Sequence, residues 1–291
     1  MQVARKFFID IAGERVFKDK LALTSFFVLL FIFVLILFVP ICFPEYQYAE
    51  MDLFSIASPP CLAHPFGTDQ LGRDVALRVF QAGRNTMGLA LGVAFISSLF
   101  GALYGLISGY FAGKIDLIMM GIVNILYAIP FLFLAILLLT VFGNNYIILL
   151  TTIACVSWLD VAKVVRGQTM ILRKREFVEA AKVAGVKPFG IMSGHIVKNL
   201  MGHIVAFTSL TIPNILSLTV FLGFLGLGIQ APMIGWGEMI SVGVQYLSFG
   251  YWWILFFPSM FLILSLMSIY FLNSRIRDAF LAKDSKSRYI M

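Results

Sequence analysis

LALTSFFVLLFIFVLILFV, residues 21–39, is a run of 19 residues without a charge. At a helical rise of about 1.5 Å per residue it reaches roughly 28 Å, close to the hydrocarbon thickness of a bilayer. Lys18 and Lys20 precede it. A signal peptide has a shorter apolar region, about 7–15 residues, followed by a small-residue cleavage site. Neither feature is present, and Val39-Pro40-Ile41-Cys42 is not a lipoprotein cleavage box. The stretch reads as a retained membrane-spanning helix.

The rest of the chain repeats that chemistry. Of its 291 residues 60% are hydrophobic and 13% charged, and 29 are Phe. A soluble domain carries roughly 25% charged residues, so this chain has too little polar surface to coat a soluble globule. That excludes a cytosolic enzyme, a disordered protein and a secreted disulfide scaffold. Cys42, Cys61 and Cys155 are too few and too scattered for a disulfide framework or a zinc site.

Residues 40–84 differ: they hold five of the ten prolines, five acids and three Arg, and read as a polar loop. Further apolar runs follow at about 85–113, 116–142, 146–165, 201–228 and 251–273, with Pro130, Pro213 and Pro258 inside three of them. Prolines at that depth mark kinks, because a freed carbonyl must find another partner. The segment 229–250 is a Gly-rich loop whose one charge is Glu238. The fold class is therefore an all-α integral membrane protein with six transmembrane helices, both termini on one side. Residues 1–20 hold five Lys and Arg, the turn at 114 one, residues 163–198 eight and residues 274–291 five, so 19 of 22 share a face. The positive-inside rule places that face in the cytoplasm. Only Arg73, Arg78 and Arg84 lie opposite. The organisation is a cytoplasmic tail at 1–20, a first helix at 21–43, an outward loop at 44–84, a five-helix core at 85–273 with a cytoplasmic loop at 166–200, and a cytoplasmic tail at 274–291.

No catalytic or metal-binding constellation is present. The nearest approach to a P-loop, Gly113-Lys114-Ile115 with Ser108 at the first Gly position, fails at two positions. His64, His195 and His203 have no metal-ligand spacing, and neither a G-x-S-x-G elbow nor a dinucleotide fingerprint occurs. An ion-coupled transporter keeps ionisable groups inside its spans. Here Asp160 is the main one, and Lys163 at i+3 suggests an interfacial ion pair, with a proton-coupling site or a partner contact as the alternatives. His203 reads as an interface residue. The balance favours an energy source outside the chain over a stand-alone ion-coupled transporter, and an intramembrane enzyme lacks its nucleophile or metal.

Two patterns remain. Ser97, Gly101, Gly105, Gly109 and Gly113 recur every four residues along the second span, a stripe that lets helix backbones approach closely. RKREFVEAAKVAG at 173–185 places Phe177, Ala181 and Ala184 on one expected apolar stripe, with Gly185 and Pro188 ending the helix. On the residues alone, this short helix either couples the spans to a soluble subunit or lies on the membrane surface.

Glu179-Ala180-Ala181, then Gly185, then His195 to Asn199 resembles the EAA loop of ABC importer permeases, with Lys198 where that loop carries Pro. HPFGTDQLGRD at 64–74 resembles the outward-loop signature of the dipeptide/oligopeptide/nickel permease family, and FLGLGIQAP at 224–232 with Trp236-Gly237 resembles that family's segment after its fifth span. Lys20-Leu21-Ala22-Leu23 and Pro59-Pro60 also fit, and the whole resembles the C-type member of two permease subunits. The resemblance implies a type I ABC importer permease architecture in a bacterial inner membrane. It implies a sister permease forming a heterodimer, two ATP-binding subunits that hold ATP and Mg, an extracytoplasmic binding protein, and a peptide substrate, with nickel or another small solute as the alternative. This chain would itself bind no cofactor, metal or nucleic acid and perform no catalysis. Glu179, Ala180, Ala181, Gly185 and Phe177 would contact the ATPase. Thr68, Asp69, Arg73 and Asp74 would pair with each other over the pore mouth or meet the binding protein. Gly101, Gly105 and Gly109 would pack either within the chain or against the sister subunit. The spans would offer an uncharged path lined by small residues, Ser, Thr and Asn.

Overall fold

The computed structural model describes residues 19–43 and 47–288. The expected N-terminal tail lies almost wholly outside the described residues. Nine helices make up the described fold: α1 (Lys20–Cys42), α2 (Val75–Phe111), α3 (Gly113–Ala128), α4 (Phe131–Phe142), α5 (Tyr146–Leu172), α6 (Glu176–Val183), α7 (Pro188–Phe224), α8 (Trp236–Tyr246) and α9 (Trp252–Arg288). Among the described residues, α1, α2, α5, α7 and α9 are each long and apolar enough to cross a membrane. α3 and α4 pass the same test only as a pair, bent by 83° at their junction, which is a broken span or a re-entrant loop, so the described residues hold five or six spans.

Local chemistry sets the helix ends. The Asp19 carboxylate accepts from the Leu21 amide at 2.9 Å and caps α1; Asp74 accepts from Leu77 at 2.9 Å to cap α2, and Asn145 from Ile148 at 2.9 Å to cap α5. Asp19 also receives the Arg275 guanidinium at 2.8 Å, which ties the start of α1 to α9.

Several boundaries differ from the sequence reading: α5 runs on to Leu172, α7 begins at Pro188 rather than at 201, α9 continues to Arg288, and three more have a local cause. The second span was expected from residue 85, but the Asp74 cap starts α2 at Val75, so Arg78 and Arg84 belong to the helix rather than to the loop. The third span was expected as one kinked helix over 116–142. It is broken instead at Ile129-Pro130, where proline removes an amide and pushes its predecessor into extended backbone (φ −77°, ψ 121°). The loop 229–250 contains α8, whose Gly237 and Gly243 mark close approaches to the Val220 carbonyl and the Leu255 backbone.

The core forms in layers. Ile32, Ile36, Val79, Trp236, Trp253 and Phe261 join α1, α2, α8 and α9. Leu89, Ala135, Leu149, Ile153, Ile215 and Leu216 join α2, α4, α5 and α7. Trp236 is fully buried: its indole donates to the Val79 carbonyl at 2.9 Å and its amide to Thr86 Oγ1 at 3.0 Å. The Trp236-Gly237 motif is thus an anchor between α8 and α2.

The glycine stripe explains the closest contact. A Cβ at Gly101 would stand 2.6 Å from the Trp158 carbonyl oxygen, one at Gly109 2.6 Å from that of Arg166, and one at Gly105 against that of Ala162. All three face α5 of the same chain. Of the two expected partners, intrachain packing is what the geometry shows; these glycines are spent inside the subunit.

Candidate functional site

α6 is an eight-residue helix between two spans. Glu176 and Glu179 lie in its first turn and Lys182 in its last, each charge favourable to the helix dipole. At the C-terminus, the Val186 amide donates to the Ala181 carbonyl at 3.0 Å and the Gly185 amide to that of Lys182 at 3.0 Å. This 6→1 and 5→2 pairing is a Schellman motif, and Gly185 holds the left-handed conformation it requires, at φ +75°.

The apolar stripe is not the one expected from the sequence. Val178, with 0% of its surface accessible, and Ala181 face inward, onto Leu106, Tyr110, Val161, Val165, Ile196 and Leu200. Phe177 and Ala184 are exposed. The inward pair is spaced i, i+3, one position round from Phe177, and the β-branched Val178 is the side chain that fills the socket. Outward stand Glu179, Ala180, Val183 at 90% exposure and, past the turn, Phe189 at 77%. One face of α6 is therefore keyed into α2, α5 and α7, and the other offers small and apolar groups with a flanking carboxylate.

The socket is braced by polar contacts that the sequence reading missed. Arg166 on α5 grips Asp116 on α3 with both nitrogens, Nη2 to Oδ2 at 2.6 Å, and Ser108 Oγ donates to Asp116 Oδ1 at 2.6 Å. Arg173 donates to the Tyr110 carbonyl at 2.9 Å. A displacement of α6 would thus pass to the ends of three spans at once. Asp116→Ala should lower the stability of the folded chain by about 2 kcal/mol, below the ~3–5 kcal/mol of a fully buried pair because Arg166 is partly exposed. Thermal unfolding of the purified protein in detergent measures this, and an unshifted midpoint would show that the pair bears no load.

The outward loop also closes on itself. Thr68, 0% exposed, accepts from the Ser58 amide at 2.8 Å, donates to the Ser55 carbonyl, and through its own carbonyl accepts from the Trp253 indole at 3.0 Å. Asp69, 3% exposed, accepts from the Leu71 and Arg73 amides at 2.8 and 3.0 Å and pairs with the guanidinium of Arg73 at 2.7 Å and of Arg78 at 3.3 Å. Asp74 meets His64 Nδ1 at 2.8 Å while capping α2. Of these four residues only Asp69 and Arg73 pair with each other; Thr68 and Asp74 find their partners elsewhere in the chain, and Thr68 and Asp69 are too buried to serve as a contact surface. Glu238 is wedged among Gly223, Gly228 and Gly235, and burial pushes its carboxyl above the ordinary range.

Asp160 and Lys163 do not form the expected direct pair. The Tyr127 hydroxyl donates to Asp160 Oδ1 at 2.9 Å, and the Lys163 ammonium lies 3.6 Å from the Tyr127 ring centroid.

Residues 101–278 match the family described as Binding-protein-dependent transport system inner membrane component. The chain is 40% identical over 275 residues to the Oligopeptide transport system permease protein OppC of Haemophilus influenzae, covering 94% of this chain and 88% of that protein. It is 39% identical to the protein of the same name in Escherichia coli K12, over 94% and 90% of the two chains. It is 37% identical to the Dipeptide transport system permease protein DppC of Bacillus subtilis, over 92% and 83%. A chain of the MetNI methionine ABC transporter, solved in inward facing conformations, superposes with a TM-score of 0.56 at 18% identity over 69% of this chain and 96% of that one, which is a likeness of fold. The apolar spans, the interposed α6 and these matches agree, and the chain belongs to the family of binding-protein-dependent transport system inner membrane components.

Proposed function

We propose that this chain is the C-type permease subunit of an ATP-driven peptide importer in a bacterial inner membrane, forming half of a translocation path with a sister permease. Two ATP-binding subunits would dock on the outer face of α6 and an extracytoplasmic binding protein would deliver the peptide. ATP and Mg belong to the ATPase partners in this reading, and the chain itself is a non-catalytic transport subunit that binds no cofactor. The observation that carries the substrate class is the naming of relatives for oligopeptide and dipeptide transport, at 37–40% identity across 92–94% of this chain.

The coupling role rests on α6: a helix socketed on one side through Val178 and Ala181 and bare on the other at Ala180 and Val183 transmits a push as a rigid body. The excess of Lys and Arg on the α6 side supports a cytoplasmic position for that face. Purified with its partners and reconstituted in vesicles, the complex is expected to take up labelled di- and tripeptides with ATP and to leave Ni²⁺ outside. Uptake of Ni²⁺ without peptide would replace this reading with the metal-solute one.

A further inference from the structure

Asp160 is an exposed carboxylate 14 residues into α5, inside the apolar run 146–165 but toward its cytoplasmic end, where Lys163 and Arg166 follow. A charge within a spanning helix turns to a polar cavity, another protein surface or the interface rather than to hydrocarbon. The exposed faces of α1 and α2 present Phe31, Phe38, Phe95 and Leu99, side chains suited to lipid. Those of α5 and α7 are mixed: beside Ile147, Val205 and Phe221 they present Thr151, Cys155 and Asp160 on α5, and Asn214 and Ser217 on α7.

Tyr127, which holds Asp160 Oδ1, stands two residues before the break between α3 and α4. Broken helices at membrane depth are tolerated where they are buried in protein or line a water-filled cavity. Asp160 Oδ2 has no protein partner among the described residues. Lys163, which could neutralise it from one turn away, is drawn over the Tyr127 ring instead. The carboxylate is thus oriented by one hydrogen bond and left able to receive a cation.

We propose that Asp160, oriented by Tyr127, lines the translocation path and receives the ammonium groups of a passing peptide. The inference rests on the peptide-importer reading. A free peptide carries an α-ammonium at neutral pH. A fixed carboxylate on the way attracts that charge. The same carboxylate favours lysine-containing cargo and opposes acidic cargo.

The test uses the whole complex, with its binding protein, in vesicles, supplied with Ala-Lys-Ala, Ala-Ala-Ala or Ala-Glu-Ala. Asp160→Asn keeps the acceptor for Tyr127 and removes the charge. It is expected to leave subunit co-purification and ATP hydrolysis intact and to lower uptake relative to wild type about tenfold for Ala-Lys-Ala, less for Ala-Ala-Ala and least for Ala-Glu-Ala. Asp160→Glu should retain most uptake, and Tyr127→Phe should show the same order with smaller losses. Equal uptake ratios for the three peptides in Asp160→Asn would overturn the proposal, and so would loss of the sister subunit, which would make Asp160 an intersubunit contact. If the wild-type complex carried none of the three peptides, the importer reading itself would fall, an outcome separate from either.

Discussion

Gly105→Leu is expected to abolish accumulation of the folded chain and, with it, any transport. The added Cβ would collide with the Ala162 carbonyl oxygen and stand 2.9 Å from the Arg166 amide nitrogen and 3.0 Å from Val165 Cβ. Two of the three obstacles are backbone, which cannot swing aside as a flexible side chain does. Relief therefore requires α2 and α5 to separate along their length, which also lifts Gly101 and Gly109 out of contact and pulls Arg166 from Asp116. Overpacking a core costs about 1–3 kcal/mol where side chains can yield, and more where they cannot. Lipid supplies no hydrophobic drive between spans, so close packing is what holds this pair together. Gly121→Ala is the matched control, because nothing lies within 4 Å of the position its Cβ would take. The check is the yield of monodisperse protein in detergent for both variants; a normal yield for Gly105→Leu would remove the packing role assigned to the stripe.

What was legible in the sequence is what the bilayer dictates locally. An uncharged run such as 21–39 has one stable state at membrane depth, so α1 and the other long apolar helices follow from composition. Helix starts are less legible, because charged residues at a helix end resemble those of a loop. Arg78 lies in α2 yet is spent on Asp69 and on the Tyr48 carbonyl at 3.2 Å, so its charge is answered by the loop it caps rather than by water. The Gly-rich composition of 229–250 concealed α8, since Gly237 and Gly243 serve helix contact there and not chain reversal. The short helix at 176–183 is legible in the sequence, but its orientation is not: periodicity alone does not separate a stripe through Phe177 from one through Val178, and only the socket of Tyr110, Val165 and Ile196 decides. The Asp116–Arg166 pair spans 50 residues of sequence and has no local signature. For Thr68 and Asp69 the sequence leaves open whether they pair within the loop or meet a partner; the indole of Trp253, 185 residues away, closes that loop and buries them.

Gly185→Val is expected to cut peptide uptake by at least about tenfold while the partner ATPases continue to hydrolyse ATP. No atom lies within 4 Å of a Cβ at Gly185, so the substitution meets no obstacle in space. Its cost is conformational: at φ +75° a β-branched side chain crowds its own carbonyl, a penalty of roughly 1–2 kcal/mol or more. That is comparable to what two terminal hydrogen bonds return, about 1 kcal/mol each. The chain then gains by leaving the left-handed conformation, which breaks the Val186–Ala181 and Gly185–Lys182 bonds and frays the end of α6 that carries Val183. A frayed helix still offers Ala180 and Glu179 to a partner but yields when pushed, so the stroke is absorbed before it reaches Val178 and the spans. Substitutions at this position should therefore fall in an order. Asn tolerates the left-handed region and should retain most uptake, Ala should fall between, and Val should be lowest. Uptake per ATP hydrolysed, measured across the three variants in vesicles, reads the stiffness of this one turn. Equal ratios for Asn, Ala and Val would mean that force does not pass through the α6 cap.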